Sequence, residues 1–171
     1  MTGVNIEPRP SPLAVWILAI RPATLSAALG PVAVGAAAVW HVPGANLLAG
    51  LLALCAALLI QITVNLHNDL SDFQKGADTT ERLGEARATQ KGWLRPADLK
   101  RGIGGVLLLA LIVTLGLAKL SGWPVLAIAA ASIASAFAYT GGPFPLAYNG
   151  LGDVFVFLFF GAVAVWFTRK P

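Results

Sequence analysis

The sequence of residues 47–72 is LLAGLLALCAALLIQITVNLHNDLSD, an apolar run that ends in a cluster of polar and acidic side chains. Residues 47–64 are mostly apolar over nearly the length of about 20 residues that a membrane-spanning helix needs. Acidic side chains at the point where such a helix meets water are costly unless a cation compensates them. This stretch therefore predicts a transmembrane helix with a candidate functional site at its end.

The composition of the whole chain also indicates a membrane protein. Of its 171 residues, 57% are hydrophobic and 12% are charged, whereas soluble domains carry about 25% charged residues. Five stretches approach the length of a span: residues 13–40, 47–64, 102–117, 124–140 and 151–168. We predict an all-α, polytopic integral membrane helix bundle with about five transmembrane helices. Its membrane domain covers residues 13–171 and follows a polar tail of residues 1–12.

The charged residues are concentrated between residues 69 and 101, in the predicted loop after the second span. Basic and acidic side chains nearly balance there, whereas nucleic-acid binding needs an unopposed basic surface. We therefore expect no nucleic-acid partner. Cys55 is the only cysteine, so neither a disulfide within the chain nor a cysteine metal site is expected.

The placement of lysine and arginine predicts the orientation in the membrane, because loops rich in these residues stay in the cytoplasm. Most of them lie in the N-terminal segment and in the charged loop, while the turn after the first span holds only His41 and the turn after the third only Lys119. The tail and the charged loop are therefore predicted to face the cytoplasm. Arg169 and Lys170, after the fifth stretch, do not fit this pattern.

A helix through residues 61–72 would place polar side chains on one face, because their spacing is i, i+4, i+7, i+8 and i+11. These residues are Gln61, Asn65, Asn68, Asp69 and Asp72. The two aspartates are like-charged neighbours at the C-terminal end of a helix, where the dipole disfavours anions. No histidine or cysteine cluster accompanies them. A hard cation such as Mg²⁺, which binds carboxylates together with substrate phosphates, fits this pattern best.

The charged loop adds cations that can bind phosphate oxygens, namely Arg82, Arg87 and Lys91. Carboxylates, a metal ion and basic side chains at a membrane surface together suggest a lipid-linked diphosphate substrate. A plain alternative is that the loop is only a solvated connection between two spans. A second, weaker polar stripe on the fourth span consists of Ser132, Ser135 and Tyr139, which also suit helix packing and an interfacial aromatic.

The segments Asn68-Asp-Leu-Ser-Asp72 and Gly76-Ala-Asp78 resemble the first aspartate-rich motif of the UbiA-type intramembrane aromatic prenyltransferase superfamily. They lie within the longer string Asn65-Leu-His-Asn-Asp-Leu-Ser-Asp-Phe-Gln-Lys-Gly-Ala-Asp-Thr79. With Arg82-Leu-Gly84 and Arg87-Ala-Thr, it is similar to the 1,4-dihydroxy-2-naphthoate polyprenyltransferases of menaquinone synthesis. The segments Arg21-Pro-Ala-Thr24 and Tyr139-Thr-Gly-Gly-Pro-Phe-Pro-Leu extend the resemblance over nearly the whole chain.

The resemblance implies a role for each of these residues. Asp69, Asp72 and Asp78 would hold Mg²⁺ on a polyprenyl diphosphate. The diphosphate would be positioned by Asn65, Asn68, Arg82, Arg87 and Lys91. Tyr139 would face the allylic cation or the aromatic acceptor, so that Asp69, Asp72, Asn65 and Tyr139 form the catalytic set. The cation would alkylate 1,4-dihydroxy-2-naphthoate with loss of its carboxylate, giving demethylmenaquinone in a bacterial plasma membrane. The isoprenoid tail would lie between helices, open to the lipid bilayer.

The chain departs from the family in one respect. Family members have about nine helices and a second aspartate motif, whereas here the only acid outside the tail and the first loop is Asp153. We expect the chain to be the N-terminal portion of such an enzyme, inactive alone and completed by a separately encoded C-terminal half. Three alternatives stay open: a non-catalytic membrane protein that binds isoprenoid or quinone lipids, a prenyltransferase of the same superfamily with another aromatic acceptor, and a different lipid transferase.

Overall fold

The computed structural model describes residues 9–76 and 87–141, together with the single positions 154 and 157. Within these residues the chain is helical and contains no strand. The elements are α1 (Pro12–Ile20), a short 3-10 helix (Pro22–Leu25), α2 (Ser26–Val39), α3 (Leu47–Gln74), α4 (Pro96–Ser121) and α5 (Pro124–Thr140). The predicted all-α membrane bundle is confirmed.

Among the described residues, three helical stretches are long and apolar enough to cross a membrane: Pro12–Val39, Leu47–Gln74 and Pro96–Ser121. The fourth predicted span corresponds to α5, an apolar helix of 17 residues. The fifth, residues 151–168, lies outside the described residues except for positions 154 and 157, so the count of five stays a prediction.

The first span is broken where α1 ends. Arg21 adopts the left-handed region, with φ 54° and ψ 72°, which is uncommon for a residue other than glycine. Pro22 then begins the 3-10 helix, a position that suits proline because its N–H is not needed there. The first predicted span, residues 13–40, therefore corresponds to two helix starts, one at Pro12 and one at Pro22.

The helices that flank the charged loop are longer than predicted. Instead of residues 102–117, α4 covers Pro96–Ser121, so Asp98 lies in its first turn rather than in the loop. The carboxylate of Asp98 accepts hydrogen bonds from the backbone N–H of Arg95 at 3.3 Å and from its Nε at 3.0 Å, which caps the helix. The connection between α3 and α4 is therefore confined to residues 75–95.

The core lies around the C-terminal half of α3, which packs against α1, α2, α4 and α5. Its buried members come from α1, α3, α4 and the connection: Val15, Ala19, Leu66, Leu70, Ala88, Leu94, Leu99 and Ile103. The ring of Trp16 lies against Gly102, where an added Cβ would come within 2.7 Å of the ring atom Cη2. Because Ala88 and Leu94 are buried in this core, the connection is fastened onto the end of α3 that carries the acidic residues.

Candidate functional site

The polar stripe predicted on α3 is present, and most of it is buried. Asp69 is 2% exposed, Asp72 6%, Asn65 4% and Gln61 7%, while Asn68 is half-buried. The helix continues through all of them to Gln74. The acidic residues therefore lie inside the bundle rather than in a solvated loop, and each needs a polar partner, because burying an uncompensated charge is very unfavourable.

Residues 87–94, which we call the capping segment, supply partners for both aspartates. The hydroxyl of Thr89 donates a hydrogen bond to Oδ1 of Asp69, and Thr89 is itself buried. The guanidinium of Arg87 forms an ion pair with Asp72 through Nη2 and Oδ2, with side chains only 4% and 9% exposed. A buried ion pair of this kind persists because its charges compensate each other. The structure therefore brings together Asp69, Asp72 and Arg87, which the sequence analysis identified separately.

The capping segment is a folded turn structure. The N–H of Lys91 donates to the carbonyl of Arg87 at 3.1 Å, and the N–H of Trp93 donates to Ala88 at 2.9 Å. Gly92 has φ 68°, a conformation that glycine adopts without strain. From the tail, Nη2 of Arg9 donates to the carbonyl of Trp93 at 2.8 Å. The fixed backbone explains how Arg87 and Thr89 reach the aspartates, while the side chain of Lys91 lies on the exposed surface.

Asn65 joins α3 to the break in the first span. Its Nδ2 donates to the carbonyl of Ile20 at 2.6 Å and to the hydroxyl of Thr24 at 2.8 Å. Its Oδ1 accepts from Gln61 at 3.4 Å. The amide group thus binds backbone and hydroxyl groups that the break between α1 and the 3-10 helix exposes. This is a structural role that the sequence did not indicate, and the catalytic role of Asn65 stays a prediction.

Asn68 joins α3 to the end of α5. Its Oδ1 accepts a hydrogen bond from the hydroxyl of Thr140 at 2.7 Å, and Nζ of Lys75 donates to the Thr140 carbonyl. Tyr139 is half-buried in the same last turn of α5. The structure therefore places Tyr139 at the end of the bundle where α3 carries its acidic residues, and its catalytic role stays a prediction.

His67, which the stripe did not include, reinforces this junction. Its ring lies 4.4 Å from the ring of Phe137, measured between centroids, and Nε2 is 3.1 Å from the hydroxyl of Ser71. A Cβ added at Gly141 would come within 2.8 Å of Nε2 of His67. It would also come within 2.5 Å of the backbone carbonyl oxygen of Phe137, so glycine is favoured at the end of α5.

The predicted metal set is only partly within the structure, since Asp78 lies outside the described residues. Arg82, predicted to bind the diphosphate, also lies outside them. Across residues 9–76 and 87–141, no group of three or more histidine, cysteine, aspartate or glutamate side chains is arranged to hold a metal ion. Asp69 and Asp72 nevertheless supply hard oxygen donors, which is the ligand type that Mg²⁺ takes together with substrate phosphates. The donor chemistry fits Mg²⁺, and the complete ligand set stays a prediction.

A bundle of apolar helices that buries two aspartates and an arginine at one end of a span defines an integral membrane protein with a charged site at the bundle end. Comparison with known families makes this more specific. The model of the UbiA prenyltransferase family matches residues 28–168, and the chain belongs to that family.

Individual relatives agree with the resemblance seen in the motifs. The chain is 37% identical to 1,4-dihydroxy-2-naphthoate octaprenyltransferase of Escherichia coli (strain K12), over 90% of this chain and 53% of the relative. It is 38% identical to the Mycobacterium tuberculosis protein of the same name, over 91% and 53%. It is 37% identical to UbiA prenyltransferase domain-containing protein 1 of Danio rerio, over 93% and 48%. The chain thus spans about half the length of the curated relatives it matches.

Proposed function

We propose that this chain is the N-terminal portion of a membrane enzyme that transfers a polyprenyl group from a polyprenyl diphosphate to 1,4-dihydroxy-2-naphthoate. The carboxylate of the acceptor is lost, and the product is demethylmenaquinone. The names of the bacterial relatives support the substrates. The relatives are about twice the length of the match, which supports a further segment that completes the site.

The observation that carries this proposal is the buried group of Asp69, Asp72 and Arg87 at the end of a membrane-spanning helix. Mg²⁺ held by the two carboxylates, with Asp78 as a third ligand, would neutralise the leaving diphosphate as its carbon–oxygen bond breaks. Arg87 presents a planar fork of N–H donors, which suits phosphate oxygens. The closely packed bundle around these residues keeps water from the allylic cation.

The remaining residues take roles around this centre. Arg82 and Lys91 bind the diphosphate from the connection, and Asn68 does so from α3. Tyr139 faces the cation or the aromatic acceptor at the end of α5. Asn65 contributes by fixing the break in the first span against α3, which orients the helix that carries both aspartates.

The test is a transfer assay in native-like membranes. The 171-residue chain is expressed alone and together with the C-terminal half of the Escherichia coli relative, and demethylmenaquinone is measured after addition of octaprenyl diphosphate, dihydroxynaphthoate and Mg²⁺. We expect product from the pair, dependence on Mg²⁺, and none from the chain alone. Metal-independent binding of quinone lipids, without transfer by the pair, would instead identify a non-catalytic lipid-binding protein.

The proposal places the charged connection in the cytoplasm of a bacterial cell. The basic residues of the tail and connection support this orientation. A Lys91→Cys substitution in a Cys55→Leu background provides one reactive thiol on the exposed connection. We expect a membrane-impermeant maleimide to label it in inverted vesicles and not in intact spheroplasts. The reverse pattern would contradict the orientation.

A further inference from the structure

The buried ion pair between Arg87 and Asp72 places an arginine on a carboxylate that the proposed function assigns to a metal ion. We propose that Arg87 is a placeholder cation: it neutralises Asp72 while the site is empty and moves to the diphosphate when metal and substrate bind. This inference rests on the proposed function and adds a thermodynamic coupling between the metal and the diphosphate.

Burial is the reason that the placeholder is needed. Asp72 is 6% exposed and lies two residues before the end of α3, where water cannot solvate its charge and the helix dipole opposes it. An empty site without a nearby cation would therefore be unstable. Arg87, whose side chain is 4% exposed, supplies the compensating charge.

The same pairing must weaken the binding of a metal ion alone. A divalent cation at Asp72 and the guanidinium at its Oδ2 would lie close together, and like charges repel strongly where little water screens them. Arg87 therefore has to leave when the carboxylate binds a metal. A diphosphate offers it an anionic partner of suitable geometry, so the two ligands should bind cooperatively, with equal coupling in both directions.

The surrounding contacts allow this exchange without refolding. Thr89 is bonded to Asp69, two residues from Arg87, and Ala88 and Leu94 are buried in the core. The backbone that follows Arg87 is thus held against α3 and the core. A rotation of the Arg87 side chain is sufficient to change its partner, while Thr89 keeps Asp69 in place.

The experiment compares neutral and charged replacements of Arg87. Arg87→Gln removes the charge and keeps an N–H donor for Asp72, while Arg87→Lys keeps the charge. Arg101→Gln is the matched surface control, because Arg101 also pairs with an aspartate, at 3.4 Å from Asp98, but is 78% exposed. Binding of Mn²⁺ alone, and of inorganic pyrophosphate with Mn²⁺, is measured by electron paramagnetic resonance on the 171-residue chain in lipid nanodiscs.

We expect Arg87→Gln to bind Mn²⁺ alone about tenfold more tightly than the parent chain, a size typical of site-to-site coupling, and to bind pyrophosphate about tenfold more weakly. Arg87→Lys should show no gain in Mn²⁺ affinity, and Arg101→Gln should match the parent chain in both measurements. The opposite signs of the two changes in Arg87→Gln distinguish a placeholder from a simple phosphate ligand.

Three results would overturn the inference. Unchanged Mn²⁺ affinity with weaker pyrophosphate binding would make Arg87 a phosphate ligand only. A loss of both affinities would make its role structural. If the parent chain shows no Mn²⁺-dependent binding of pyrophosphate, the inference fails, whereas the proposed function is tested separately by the transfer assay with the C-terminal half. The first two results leave the proposed function intact.

Discussion

The two halves of α3 differ in how far their side chains are buried, although they belong to one continuous helix. In the first half, from Leu47 to residue 60, only Ala56 and Leu59 are buried, and leucines are exposed along the surface. In the second half the buried residues are mainly polar: Gln61, Thr63, Asn65, Leu66, Asp69, Leu70, Ser71 and Asp72.

This difference shows how a membrane helix can carry a charged site. The exposed apolar side chains of the first half suit contact with lipid or with further membrane helices. In the second half, α1 and the capping segment cover the helix, and polar groups can be retained because each finds a partner there. The expected effects of mutation therefore differ between the halves, and they can be ranked.

The largest effect is expected at Asp72, at the charged end of the second half. Asp72→Asn removes a proposed metal ligand and the partner of Arg87. We expect Mn²⁺-dependent binding of pyrophosphate to fall by about 1,000-fold, equivalent to about 4 kcal/mol. Asp98→Asn is the control, since Asp98 pairs with the exposed Arg95, just before α4, and with the exposed Arg101 on α4. Its binding of pyrophosphate should equal that of the parent chain. Strong Mn²⁺-dependent binding of pyrophosphate by Asp72→Asn would show that Asp72 is not a ligand in the site.

The next largest effect is expected at Leu66, where a substitution changes the packing of the core. Its side chain is 1% exposed and lies in the core shared by α1, α3 and α4. Leu66→Ala leaves a cavity there and should lower the free energy of unfolding by about 3 kcal/mol. Leu51→Ala, in the first half and 54% exposed, should change it by less than about 0.5 kcal/mol. Unfolding in mixed micelles of dodecyl maltoside and dodecyl sulfate measures both values. Equal losses would contradict the distinction between the halves.

Asn65 tests whether the polar groups of the second half also stabilise the fold. Asn65→Ala leaves the carbonyl of Ile20 and the hydroxyl of Thr24 without this donor, and should lower the free energy of unfolding by about 2 kcal/mol. At the other end of α3, Oδ1 of Asn46 caps the helix through the N–H of Ala49 at 3.1 Å. Asn46→Ala should lower the free energy of unfolding by about 1 kcal/mol. Unfolding in the same mixed micelles compares the two variants. A larger loss of unfolding free energy in Asn46→Ala than in Asn65→Ala would contradict the bridging role of Asn65.

The sequence predicted the regular part of this arrangement. The apolar runs predicted the helices, and the spacing from Gln61 to Asp72 predicted one polar face, because both signals are local. It did not predict the start of α4 at Pro96, because the charges of Asp98 and its neighbours suggested a loop and concealed the capping pattern around Arg95. The left-handed Arg21 was also unexpected, since tertiary contacts from Asn65 stabilise that break.

The partners in the site could be predicted only in part. Arg87 was identified as a candidate by its charge, but its pairing with Asp72 depends on how residues 87–94 fold back onto α3. Thr89 was missed, because a threonine in a connection carries no charge or periodicity that distinguishes it. Its contact with Asp69 lies 20 residues away along the chain, a distance at which sequence patterns do not specify pairing.

The smallest effect is expected at Cys55, in the first half of α3. Its side chain is exposed on the helix surface, so a larger apolar side chain there does not disturb close packing within the bundle. Cys55→Leu should therefore change the free energy of unfolding by less than about 0.5 kcal/mol. Thr63→Leu is the contrasting variant, because Thr63 is completely buried and its hydroxyl donates to the carbonyl of Leu59 at 3.0 Å. The larger side chain there should lower the free energy of unfolding by about 1–3 kcal/mol. Both changes introduce leucine on the same helix, so the difference between their effects measures how closely each half is packed. Equal losses of stability would mean that α3 is packed to the same degree along its length.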